Sequence, residues 1–89
     1  MKFTWDENKR LLNIKNHEID FFVAEKIYYS EDASAMVDDR KDYGEERYLI
    51  YGTVDSLKMC LCCAFRDDNI RVISIRRVHD KEWRKVYGY

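Results

Sequence analysis

Apolar residues recur at helical spacing in the first third of the chain and alternate at strand spacing from residue 47 onward. Lys2 to Trp5 reads as a short strand, and Thr4 followed by Glu7 fits a capping box that opens a helix. This helix is expected to run to about Asn16, with Leu11 and Leu12 facing inward. His17-Glu18-Ile19 reads as a turn, and Asp20 as the cap of a second helix that buries some combination of Phe21, Val23, Ala24, Ile27 and Tyr28. Residues 30–46 are acidic and weakly patterned; Ser34 to Arg40 can form a strand, with Tyr43-Gly44 as the turn after it. Arg47 to Val54, Lys58 to Arg66 and Ile70 to Val78 read as strands separated by turns at Asp55-Ser56 and Asp67-Asp68-Asn69. Asp80 then caps a final helix carrying Trp83, Val86 and Tyr87.

The order predicts an α+β fold: a short N-terminal strand, two N-terminal helices, an antiparallel four-stranded meander and one C-terminal helix. With no proline, three glycines and no repeat, no linker interrupts the chain, and residues 1–89 are expected to form one domain. The last hairpin decides which side chains share a face. A two-residue turn at Asp68-Asn69 would set Arg66 against Arg71, a like-charge pair. A three-residue loop pairs Arg66 with Ile70 instead, Ala64 with Val72, Cys62 with Ser74 and Cys60 with Arg76. Met59, Leu61, Cys63, Phe65, Ile73 and Ile75 then form the core face. Ser74 and Arg76 are left on a polar face floored by small residues.

Composition agrees with a packed protein, at 46% hydrophobic, 15% aromatic and 37% charged residues. No apolar run reaches the roughly 20 residues of a membrane span, and the first residues lack the apolar stretch of a secretion signal. Cys60, Cys62 and Cys63 are odd in number and crowded, which is no disulfide framework, so a cytoplasmic location without membrane association is expected. The cysteines serve as small packing residues, and no metal or other cofactor is expected. Net charge is −1, which argues against a nucleic-acid binder until its distribution is considered. Residues 18–57 are strongly acidic, whereas the two ends carry a basic excess able to build one basic face.

Phe3-Thr4-Trp5-Asp6, Lys9, Asn13, His17 and Asp20-Phe21 follow one another as in the N-terminal signature of BrnT toxins, roughly F-x-W-D-x-x-K-x-x-x-N-x-x-K-H-G. Glu46-Arg47, the block Ile70-Arg71-Val72-Ile73-Ser74-Ile75-Arg76-Arg77, and a basic helix with Glu82, Arg84 and Tyr87 also fit the family. The chain therefore resembles the BrnT family over nearly its whole length. That resemblance implies a RelE/ParE-like fold and a type II toxin that cuts RNA and inhibits translation. It also implies a BrnA-like ribbon-helix-helix antitoxin as partner, contact with operator DNA only through that antitoxin, and a heterotetramer. Two positions depart from the pattern: Glu18 stands where glycine is usual, and Asn16 where lysine is usual.

Metal-free RNA cleavage, by attack of the 2′-hydroxyl on phosphorus, needs cations on the phosphoryl oxygens and groups that move two protons. Arg76 is expected as the transition-state clamp, because a guanidinium fork matches phosphate oxygens, with Ser74 as a positioning hydroxyl. The ordinary alternative is that arginines merely solvate a strand end. Lys9, Asn13 and His17 recur every fourth residue along one helical stripe, where Lys9 could serve as phosphate ligand or proton donor and Asn13 and His17 could touch RNA. The same stripe is what the wet side of an amphipathic helix looks like. Glu46 is a candidate base and Tyr87 a candidate donor to the leaving group, while Arg47, Arg66 and Arg77 are candidate phosphate contacts. Glu46 and Arg47 are adjacent on a strand, so only one can reach a given face. His17 and His79 are the only histidines and the natural acid–base pair, but a lone histidine near a helix end is more often a structural cap, so the pair is set aside. Two other readings stay open: a non-catalytic module that binds gyrase or another partner, and an inactive relative.

Overall fold

The computed structural model describes residues 1–89 as an α+β fold with a five-stranded mixed sheet. In chain order the elements are β1 (Lys2–Thr4), α1 (Glu7–His17), a 3-10 turn (Phe21–Val23) leading into α2 (Ala24–Tyr28), β2 (Ser34–Asp38), β3 (Arg47–Val54), β4 (Leu57–Arg66), β5 (Asn69–Arg77) and α3 (Asp80–Tyr87). The sheet order is β1-β5-β4-β3-β2; β2 to β5 form the expected antiparallel meander, and β1 joins β5 in parallel. No helix is long and apolar enough to cross a membrane.

The α1 and α2 side of the sheet carries the larger core, in which Phe21, Ile27, Leu61, Ile70, Val72 and Ile75 are fully buried. On the other side α3 lays Trp83, Val86 and Tyr87 over Leu49, Tyr51, Cys60, Cys62 and Val78. Cys60 and Cys62 therefore point to one face and Cys63 to the other, all three free thiols, as strand alternation requires. Gly52 lets α2 approach the sheet closely: a Cβ there would meet the Ser30 hydroxyl and lie 3.0 Å from the Ile27 carbonyl oxygen.

Several local expectations are corrected. The cap of α1 is Asp6, whose carboxylate accepts from the Asn8 and Lys9 amides at 2.8 and 3.3 Å, and not Thr4, which remains in β1. Leu11 and Leu12 are 53% and 55% exposed, because α1 lies along the edge of β5 and turns Arg10, Asn13 and Ile14 inward instead. The cap of α3 is His79, one residue before Asp80.

The final hairpin closes through a two-residue turn at Asp67-Asp68, both with positive φ of 49° and 65°, so Arg66 pairs with Asn69 and not with Ile70. This turn type twists in the sense of the strands it joins. A bulge at Ile73 absorbs the one-residue offset, and beyond it Cys62 pairs with Ser74 and Cys60 with Arg76 as expected. The bulge also exchanges two core positions: Val72 enters the main core and Ile73 turns toward the α3 side.

Candidate active site

Beyond Thr4 strand β1 ends, and the outer edge of β5 would be bare from that point. Asn13 of α1 closes it. Its amide nitrogen donates to the carbonyl oxygens of Ile19 (2.9 Å) and Ile75 (3.0 Å), and its amide oxygen accepts from the Ile75 amide (3.0 Å). The side chain is thus a one-residue substitute for a sixth strand and is 5% exposed. Asn13 belongs to the fold; the expectation that it reads RNA does not fit a carboxamide spent on backbone partners.

The clasp sets α1 beside the second half of β5, and two adjoining hollows open between them. One, of about 240 Å³, is lined by Lys9, Leu12, Asn13, Asn16, His17, Ile73 and Ser74. The other, of about 510 Å³, is lined by Lys15, Asn16, His17, Glu18, Arg76, Arg77 and His79, with no apolar side chain among them. Asn16 and His17 belong to both, so Lys9, Ser74, His17, Arg76 and Arg77 share one continuous surface. Arg76 and Arg77 are neighbours on a strand yet line the same hollow, because it straddles the end of the strand and not one face of the sheet. Glu18 ends α1 in the left-handed conformation (φ 59°, ψ 29°), a region that favours glycine, so the turn is held here by a strained glutamate.

Arg76 is held from behind. Its two terminal nitrogens donate to the Glu82 carboxylate at 2.8 Å each, and the Tyr51 hydroxyl donates to the same carboxylate at 2.6 Å. A guanidinium has five donors, and this fork uses two, so the 31%-exposed side chain keeps donors for a phosphate. Hydrogen bonding to Arg76 pulls the Glu82 carboxyl down to about 2, against the opposing effect of burial, and the same bond raises Arg76. Burial, followed by the Glu82 bond, raises the Tyr51 phenol. Glu82, named in the sequence only as part of the family pattern, and Tyr51, unmarked there, hold Arg76 in place because the docking of α3 brings them to β5.

A second charged cluster, its arginines Arg40 and Arg47 matched by the carboxylates of Asp38 and Glu45, lies on the sheet face that carries Leu49 and Tyr51. Asp38, 4% exposed, accepts from Arg40 at 2.7 Å through each carboxylate oxygen, and the Arg47 guanidinium stacks on Tyr43 at 4.0 Å. The Arg40 bond brings the Asp38 carboxyl down to about 2. Arg47 pairs across the strands with Asp38, on the side of the sheet that also carries Leu49 and Tyr51.

The remaining expected residues lie elsewhere. Glu46 accepts from the Tyr48 hydroxyl; it lies five residues before Tyr51, which at strand rise puts it roughly 16 Å from the Arg76 level of the sheet. Arg66 is paired with Glu45 at the hairpin end, its nitrogens 2.6 and 3.1 Å from one carboxylate oxygen. The Tyr87 hydroxyl donates to the Asp32 and Tyr51 carbonyl oxygens at 2.6 and 3.2 Å, its ring stacks on Trp83 at 4.2 Å, and burial pushes the phenol up to about 12. That fits a structural anchor for α3 and not a proton donor in the hollow. Burial likewise pushes Cys60 up to about 11 and Cys63 to about 12, which leaves them as protonated packing groups.

A family model described as the ribonuclease toxin BrnT of type II toxin–antitoxin systems matches residues 5–82. The chain belongs to the BrnT toxin family. Membership carries a toxin role, a ribonuclease activity, an RNA substrate and an antitoxin partner. A search among curated proteins returns no match. The matched span takes in α1, β5 and Glu82, and so every residue lining the two hollows.

The Arg76–Glu82 pair makes stability depend on acid. Glu82 ionises at about 2 in the folded chain against an ordinary 4.5, so folding favours its charged form. Its contribution is complete above about pH 5 and is lost as pH falls from there toward 2. Denaturant titrations at pH 7 and pH 3 are expected to show a smaller acid loss in Glu82→Gln than in the parent. Equal losses would mean that the pair adds nothing. Asp38 keeps its own acid dependence in both proteins.

Proposed function

We propose that residues 1–89 act as one RelE-like toxin domain in the cytoplasm, an endoribonuclease that needs no metal and stops translation by cutting RNA. The observation that carries this reading is the polar hollow in which Arg76, Arg77, Lys15 and His17 surround a space of about 510 Å³. Guanidinium groups there can hold the two non-bridging oxygens of a phosphodiester as charge grows on them in the transition state. They perform the electrostatic task that a divalent ion performs in other nucleases. The 2′-oxygen of the substrate attacks phosphorus, the bond to the 5′-oxygen breaks, and the products are a 2′,3′-cyclic phosphate and a 5′-hydroxyl. Ser74 and Lys9, across the smaller hollow, extend the cradle along the RNA backbone. Arg47, on the sheet face that carries Leu49 and Tyr51, offers a further phosphate contact.

A BrnA-like ribbon-helix-helix antitoxin is the proposed partner. By covering the basic hollow it would exclude RNA, and through its own domain it would bring the complex to operator DNA as a heterotetramer.

The test is incubation of the purified protein with RNA in excess EDTA. The expected result is fragments ending in 2′,3′-cyclic phosphate, together with growth arrest on expression. Cleavage that appears only when a divalent ion is restored would overturn metal independence. RNA left intact in both conditions, with gyrase-dependent DNA damage on expression, would replace the nuclease reading with a gyrase-binding one.

A further inference from the structure

The Asn13–Ile75 clasp has a consequence for the two histidines. One helical turn beyond Asn13 is His17, and four residues beyond Ile75 is His79. The clasp that fixes α1 against β5 therefore brings the end of α1 and the start of α3 to one place. Both imidazoles are exposed, and both line the 510 Å³ hollow with Arg76 and Arg77. Neither is spent on capping. His79 holds the cap position of α3 yet makes no side-chain cap bond, and the C-terminus of α1 is closed by the Glu18 amide donating to the Ile14 carbonyl.

We propose that His17 and His79 are the general acid–base pair of RNA cleavage, an inference that rests on the nuclease reading above. His79 takes the proton from the attacking 2′-hydroxyl as the 2′-oxygen bonds to phosphorus. His17 gives its proton to the departing 5′-oxygen as that bond breaks. One proton is taken and one given, with no redox change. The helix ends assign the roles: a cation suits the carboxyl end of α1 at His17, and a neutral base suits the amino end of α3 at His79. The charged groups around the pair are Lys15 from α1 and Glu18 at its cap, Arg76 and Arg77 from β5, and Asp80 from α3. Lys9 stands in the adjoining hollow; Lys58 of β4 pairs with Asp80 at 3.0 Å, and Glu82 is engaged by Arg76.

Rates measured across pH are expected to trace a bell for the parent protein. His17→Gln and His79→Gln should each lose about 10²–10⁴-fold near neutrality, and each should lose one limb of the bell. An RNA whose scissile 5′-oxygen is replaced by sulfur separates the roles, because a thiolate leaves without a proton. His17→Gln should regain most of its rate on it and His79→Gln should not. The Asn variants repeat each measurement should a Gln variant misfold, and circular dichroism verifies the fold. The pair is overturned if the double variant cleaves within about tenfold of the parent while Arg76→Ala is slowed by about 10²-fold or more. The nuclease reading itself falls if the parent protein cuts no RNA at any pH.

Discussion

Arg76→Ala is expected to slow RNA cleavage by about 10²–10³-fold, the range found when one donor to a developing oxyanion is removed. The variant should also be less stable, since the half-buried Glu82 carboxylate keeps only the Tyr51 hydroxyl as hydrogen-bond partner, with the Cys60 thiol nearby. A drop in activity alone is therefore ambiguous, and Glu82→Ala supplies the comparison. It breaks the same ion pair but leaves a guanidinium at the hollow, so it should lose comparable stability and retain far more activity than Arg76→Ala. Arg76→Lys keeps the charge without the fork, and intermediate cleavage is expected. Single-turnover rates and thermal melts of the three variants decide the matter. If activity follows melting temperature across the series, Arg76 is a structural residue and the phosphate clamp must be sought elsewhere.

Asn13→Ala is expected to have the largest effect on stability. It strips two carbonyls and one amide of their partner at a buried position. Unsatisfied buried groups cost about 1–3 kcal/mol each, so a total of about 3 kcal/mol is conservative. For a chain this short that lowers Tm by roughly 12–24 °C. Since proteins of this size hold only about 5–15 kcal/mol in total, much of the variant should be unfolded near physiological temperature. The register of α1 against β5 is lost with the clasp, and cleavage with it. A thermal melt within about 5 °C of the parent, paired with lost RNA binding, would restore Asn13 to the role of an RNA contact.

Lys9, Asn13 and His17 show how one sequence pattern can hold three roles. Their spacing announces a common helical stripe, and the structure does place them on one wall of the smaller hollow. Asn13 is nevertheless buried while Lys9 and His17 are exposed. What separates them is the edge of β5, where a carboxamide offers both a donor and an acceptor to a strand and an ammonium does not. The same edge explains Leu11 and Leu12: hydrophobicity marked them for the interior, but the helix needed to satisfy backbone groups and turned Asn13 inward, with Arg10 and Ile14 half-buried beside it. His79 was legible as a residue near a helix end. Its place in the same hollow as His17 was not, because the two are 62 positions apart and only the clasp closes the gap.

Element types, the antiparallel meander and the pairings Cys62–Ser74 and Cys60–Arg76 were all readable from alternation and turn residues, which are local signals. The bulge at Ile73 was not, because a two-residue turn plus a bulge and a three-residue loop place the far half of the hairpin identically. By itself the sequence determined the α+β class, the family and the strand that carries the arginines, since period, turn chemistry and motif order all act between near neighbours. Tertiary structure alone decided that Asn13 would clasp β5, that Glu82 and Tyr51 would hold Arg76, and that two distant histidines would meet in one hollow. Those outcomes depend on how helices dock at a sheet's edge and face, which is governed by unsatisfied backbone groups and buried area summed over the whole chain.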